Sequence, residues 1–142
     1  MNFRTETISL RTSRRQEIID ISNRISNVVK ASGVRNGLVN LWTNHTTAAL
    51  TINENDATLW EDILMAFTHL IPMDVDYKHN RKYSVFSGEQ NAQAHVLSCL
   101  IKPDTTLSLR NGEIVLGTWQ SILFIELDGP RSRSVSIQVM GE

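Results

Sequence analysis

Apolar and polar positions interleave over residues 2–11, where Phe, Ile and Leu are separated by Thr, Arg and Glu, giving the period of a half-buried strand that ends near Thr12-Ser13. The period then becomes helical. Ile18, Ile21, Ile25, Val28 and Val29 share one face, Ser13 with Gln16 fits a capping box, and Gly33 is a natural terminator, so the pattern predicts a helix running from Ser13 to Gly33. Residues 37–43 and 47–52 read as two strands joined by an Asn44-His45 corner. From about Asp56 to Ile71, Leu59, Trp60, Ile63, Leu64, Phe67 and Leu70 form a second helical stripe, with Asn55 or Asp56 as N-cap and Pro72 beyond its end. Trp60 and Phe67 fall on that stripe and are expected in the core. Residues 72–90 lack periodicity, and so long a loop in a compact domain has a function or is disordered. Residues 91–101 suit a short buried helix that stops before Pro103. Beyond it the pattern is β, over residues 105–109, 113–116, 121–127 and 134–140, with Asn111-Gly112 as a type I′ hairpin signal and Asp128-Gly129-Pro130 as another turn. The expected fold is α+β, with about three helices packed on antiparallel or mixed sheets.

Composition narrows the class. A chain of 142 residues suits a single domain, 1–142. Lys+Arg of 14 against Asp+Glu of 15 leaves no field to hold a nucleic acid, and no run approaches the roughly 20 apolar residues that span a bilayer. Met1-Asn2-Phe3-Arg4-Thr5-Glu6 has neither an apolar h-region nor an Arg/Ser-rich amphipathic pattern, so a cytoplasmic location is expected. Cys99 is the single cysteine, which excludes a disulfide within one chain; Leu97, Leu100 and Ile101 beside it point to a packed thiol.

Candidate chemistry gathers around residues 44–56, where an imidazole, hydroxyls, amides and two carboxylates flank a small apolar segment. His45 stands at a strand corner beside Thr46 and Thr47, His79 lies in the polar loop, and His95 sits on the short helix. Three neutral imidazoles with an open fourth position make a catalytic zinc-type site; the alternative is separate histidines bonded to backbone or water. His69 reads as a surface residue near a helix end. Glu54 follows a strand end where a carboxylate has no packing role, and Asp56 either pairs with it or caps its helix. Thr118 and Gln120 in Gly117-Thr118-Trp119-Gln120 offer a polar turn suited to an anion. Arg131 and Arg133 can pair with phosphate, with solvent exposure as the simpler explanation; for Arg14, Arg15 and Arg24 a solvated helix face outweighs an anion site. There is no P-loop, Rossmann fingerprint, Gly-x-Ser-x-Gly elbow or His-Glu-x-x-His helix.

The ordered motifs His45-Thr46-Thr47-Ala48-Ala49-Leu50-Thr51-Ile52-Asn53-Glu54, His79-Asn80, Asn91-Ala92-Gln93-Ala94-His95, Gly117-Thr118-Trp119-Gln120, Asp128-Gly129-Pro130-Arg131 and Val139-Met140-Gly141-Glu142 resemble the YjbQ-like family, also called the secondary thiamine-phosphate synthase family. The resemblance implies a small α+β domain assembled as a homotrimer, with an inter-subunit pocket lined by His45, Glu54, His79, His95, Thr118 and Gln120. It implies joining of hydroxymethylpyrimidine diphosphate to thiazole phosphate, with release of pyrophosphate. In that scheme His45, His79 and His95 hold a divalent metal such as zinc or magnesium, or phosphate. Thr46, Thr47, Thr118 and Arg131 would donate to phosphate, and Glu54 would accept a proton or orient a ligand. The alternatives are a non-catalytic trimeric metal- or anion-binding protein and a metal-assisted phosphate-ester hydrolase. Each takes a small phosphorylated molecule or anion as partner. Glu89-Gln90 stands where the family often has acidic residues before the Asn-Ala-x-Ala-His motif.

Overall fold

The computed structural model describes residues 1–142. In chain order the elements are β1 (Asn2–Arg11), β2 (Glu17–Asp20), α1 (Ser22–Ser32), β3 (Gly37–Trp42), β4 (Ala48–Glu54), α2 (Ala57–Leu70), α3 (Lys78–Arg81), α4 (Ala92–Ile101), β5 (Asp104–Arg110), β6 (Glu113–Ile114), β7 (Gln120–Glu126) and β8 (Ser132–Gly141). A five-stranded sheet has the order β1-β8-β3-β5-β6 and a three-stranded sheet the order β2-β7-β4. Every pairing is antiparallel. The fold is α+β, as the alternation of patterns predicts.

The small sheet is covered on both faces. Ile122 and Phe124 of β7 join Leu50 of β4, the inward residues of the large sheet and Ile21, Ile25, Val28 and Val29 in the main core. Leu123 and Ile125 face the other way, into a second core with Ala49, Ala94 and Leu97. That is why residues 122–125 form an unbroken apolar run: both sides of the strand are buried. Trp60, Ile63, Leu64 and Phe67 of α2 pack on the second core while remaining partly exposed. No helix is long and apolar enough to cross a membrane.

Two local expectations are corrected. The first helix starts at Ser22 rather than Ser13. Residues 17–20 pair with β7 instead, and Ile18 and Ile19 pack into different cores, as alternation on a strand requires. The Glu17 carboxylate accepts from the Ser13 and Arg14 amides at 2.8 and 3.1 Å, so the anticipated capping box is a turn closed by Glu17 in place of Gln16. The Asn44-His45 corner carries the chain from the large sheet, which holds β3, to the small one, which holds β4.

Gly33 ends α1 at φ 73°, and Asn111 and Gly112 take φ 55° and 83°, the pair of positive values a type I′ hairpin turn needs. Asp56 caps α2, accepting from the Thr58 and Leu59 amides at 2.9 and 3.2 Å. The 72–90 segment is pinned near its end. Gln90 Nε2 donates to the carbonyls of Asn80, Tyr83 and Ser84, and Asn80 Oδ1 accepts from the Ala92 amide at 3.0 Å, docking α3 on the start of α4.

Candidate functional site

Polar residues take over where the inward-facing stripes end. On β1 the inward series Ile8, Leu10 continues to Thr12; on β7 Ile122, Phe124 continues to Glu126; on β8 Val139, Ile137, Val135 continues to Arg133. Alternation therefore delivers a hydroxyl, a carboxylate and a guanidinium to one edge of the main core, all buried. Arg133 Nε and Nη2 donate to Glu126 Oε2 and Oε1 at 2.8 and 2.5 Å, and Nη2 also donates to Thr47 Oγ1 at 2.8 Å. The Thr12 hydroxyl donates to Glu126 Oε2 at 2.8 Å and the Asp128 amide to Oε1 at 3.0 Å. Burial pushes the Glu126 carboxyl up, but these donors outweigh it and hold the group below its ordinary range. Solvent exposure of Arg133 is thus corrected: the charge is needed to neutralise a buried acid.

Outside this pair lies a second one, nearer water. Asp128 Oδ2 accepts from Asn91 Nδ2 at 2.7 Å and from Arg131 Nη2 at 2.8 Å, while Arg131 Nε donates to the Asp128 carbonyl at 2.8 Å. The Arg131 guanidinium is held at two of its nitrogens, leaving Nη1 without a partner in the chain.

The corner and α4 supply the imidazoles. His45 Nε2 accepts from the Ser134 amide at 3.0 Å, so the neutral ring carries its proton on Nδ1. Its pKa is lowered by burial and then by Arg133, with Arg131 acting in the same direction. His95 is lowered by burial and then by His79, with the Asp128 and Glu89 carboxylates acting in the opposite direction. The His79 and His95 rings pack with centroids 4.8 Å apart, and Tyr83 lies on His79 at 5.5 Å.

A polar cavity of about 310 Å³ is lined by Asn44, His45, Thr46, Thr47, Glu89, Asn91, His95, Arg131 and Arg133. An adjoining cavity of about 440 Å³ shares Asn44, His45, Thr46 and His95 and adds Trp42, Thr43, Ser98, Cys99 and Pro103. Of the residues expected from sequence, His45, His95, Thr46, Thr47 and Arg131 meet in the polar cavity; His79 stands behind His95 and lines neither. Glu54, Thr118 and Gln120 lie elsewhere. Glu54 pairs with Gln120 at the far end of the small sheet, while Ala48, next to Thr47, pairs with Glu126. Six residues of strand separate the two ends, about 20 Å. Gln120 Oε1 is occupied by the Gly117 amide at 2.8 Å.

No group of three His, Cys, Asp or Glu side chains suited to a metal ion forms within the chain. His45 commits Nε2 to the Ser134 amide, and the His79 and His95 ring centroids lie 4.8 Å apart.

Sequence reasoning missed Trp42, Asn44, Glu89 and Asn91 as cavity residues and misplaced Cys99. The thiol is exposed. The buried face of α4 carries Ala94, Leu97 and Ser98, and Cys99 sits one turn beyond His95 on the cavity side. Helix phase was the available signal, and it outranks the apolar character of sequence neighbours.

A family model described as UPF0047 protein YjbQ-like matches residues 6–142. A UPF0047 protein of Methanothermobacter thermautotrophicus is 42% identical over 142 residues, which cover 100% of this chain and 95% of the relative. A crystal structure of a YbjQ-like protein of unknown function from Sulfolobus solfataricus P2 superposes with a TM-score of 0.92 at 33% identity, covering 99% of this chain and 98% of that one. An uncharacterized conserved protein of the YjbQ/UPF0047 family from Clostridium acetobutylicum gives 0.85 at 38% identity, covering 93% and 97%. These relatives are named only by family or as proteins of unknown function, and none of these names indicates a thiamine-phosphate synthase, which corrects the expectation of that reaction.

Proposed function

The chain belongs to the YjbQ-like UPF0047 family, and on that premise we propose that its polar cavity binds the phosphate group of a small phosphorylated molecule beside His95 as a neutral proton acceptor. The observation that carries this is Arg131: Asp128 fixes its plane through Nε and Nη2, and Nη1 is left for an anion. His45 adds an Nδ1–H, while Thr46 and Asn44 add a hydroxyl and an amide. Asp128 offsets part of the Arg131 charge and Glu126 neutralises Arg133, so directional donors rather than a strong field select the ligand. The His95 pKa is lowered, by burial first, which keeps the ring neutral at pH 7 and able to accept a proton.

Calorimetric titration with methyl phosphate tests the reading. Binding by the wild type, and a loss of about tenfold or more in Arg131→Gln, is the expected result, since a hydrogen bond to a charged group is worth about 1.5–3 kcal/mol. Equal affinity in the two proteins overturns it.

The same proposal takes the working form to be a homotrimer, in which the Glu54–Gln120 end of one copy would reach the cavity of the next. Light scattering on the eluting protein checks this, and a monomer mass rejects it.

A further inference from the structure

The helix α2 turns an apolar stripe toward the small sheet, yet none of its residues is buried. The space it leaves has a definite shape. Between α2, α4 and the outer face of the small sheet lies a cleft of about 420 Å³, which shares no residue with either cavity around His45 and His95. Ile18, Leu123 and Ile125, at 6%, 0% and 2% exposure, form its floor. Ile63 and Phe67 of α2 and Leu100 and Ile101 of α4 form its walls, and no charged residue lines it. The exposed members of the lining, Asn53 and Leu100, mark the mouth. Polar groups are confined to Thr51 and Asn53, neighbours on one face of β4. Asn53 Oδ1 accepts from the Glu54 amide at 2.8 Å, which leaves Nδ2 as a donor.

Water gains no partners on such a floor, and apolar cavities stay dry. A peptide segment would bring backbone N–H and C=O groups that the carbon side chains of floor and walls cannot pair. An alkyl chain needs no partner along its length, and one polar end is all that Thr51 and Asn53 can satisfy. We propose that this cleft binds an uncharged amphiphile, an aliphatic chain ending in a hydroxyl or amide, with the chain on Ile18, Leu123 and Ile125 and the polar end at Thr51 and Asn53. A fatty-acid anion is disfavoured, because the lining holds no cation to offset its desolvation.

The experiment titrates 1-octanol, 1-butanol and octanoate into the intact wild-type protein by calorimetry, and follows the rate at which iodoacetamide alkylates Cys99 in the cavity beside His95. Octanol is expected to bind saturably. Octanoate should bind at least about tenfold more weakly because of its charge, and butanol at least about tenfold more weakly because it buries less carbon. Cys99 should be alkylated at the same rate with and without octanol. Ile63→Trp fills the cleft from α2 and Ile101→Phe fills it from α4 with a smaller change; each should lower octanol affinity about tenfold while leaving Cys99 alkylation unaltered. Absence of saturable octanol binding to the wild type overturns the proposal, and so does equal affinity for octanoate. Slowed alkylation of Cys99 would put the alcohol in the other cavity and overturn it too, as would full octanol affinity in a filled variant that melts like the wild type. The wild-type comparison decides even where a filled variant fails to fold.

Discussion

Arg133 and Glu126 meet as a two-point ion pair at 2.8 and 2.5 Å between the sheets, with side-chain exposures of 4% and 0%. Buried pairs contribute little net stability, yet removing one partner strands the other. Arg133→Met is expected to cost about 3–5 kcal/mol in urea unfolding, and Arg133→Met combined with Glu126→Leu to recover most of it. A single variant within about 1 kcal/mol of wild type contradicts this account of the seam.

Stability should depend on pH through the histidines. His45 and His95 both titrate below the ordinary 6.5, so the unfolded chain takes up protons first as pH falls. Their contribution is complete above 6.5 and is lost as pH drops through their lowered values. Glu126, also lowered, adds its loss only further down, below the ordinary 4.5. Denaturant midpoints should decline below pH 6.5 in the wild type and decline less in the double variant His45→Asn/His95→Asn; superimposable profiles would falsify the assignment.

Gly129 occupies a place no side chain can share. A Cβ there would collide with the Arg14 carbonyl oxygen and lie 2.8 Å from both Glu126 Cγ and Thr12 Oγ1. Gly129→Ala is expected to destabilise by about 1–3 kcal/mol, the range for overpacking, and to weaken methyl phosphate binding because Arg131 follows two residues later. An alanine variant with unchanged melting and affinity would show that the turn has room to relax.

Salt provides a separate check on how the anion is held. With the charges of Arg131 and Arg133 offset by Asp128 and Glu126, methyl phosphate affinity should change by less than about threefold between 0.05 and about 0.5 M sodium chloride. A steep decline would point to a general positive field, which this cavity does not have.

The elements were legible wherever their cause is local. Asp56, Gly33 and Asn111-Gly112 mark their ends by capping and by positive φ, and the two-faced burial of β7 is written in its apolar run. The first helix was overextended because Ile18 lies three residues before Ile21, in helical phase, while its pairing with Ile125 is a distant event that periodicity does not record. Arg133 is the instructive residue. It stands in phase with Val135, Ile137 and Val139, so alternation already pointed it inward; charge alone argued for solvent, and its neutralising partner is on another strand. The meeting of His45 with His95 depends on the corner that changes sheets and on α4 packing behind β4, neither of which has a local signature.

β8 is late in sequence but central in its sheet, hydrogen-bonded to β1 on one side and β3 on the other. During synthesis β1 emerges first and has no sheet neighbour until the last strand arrives. The ribosome must therefore release nearly the entire described chain before the large sheet closes, and Arg131, Arg133 and Ser134 reach the cavity in that same final step. Nascent chains halted before residue 132 would lack both the closed sheet and the ligand pocket.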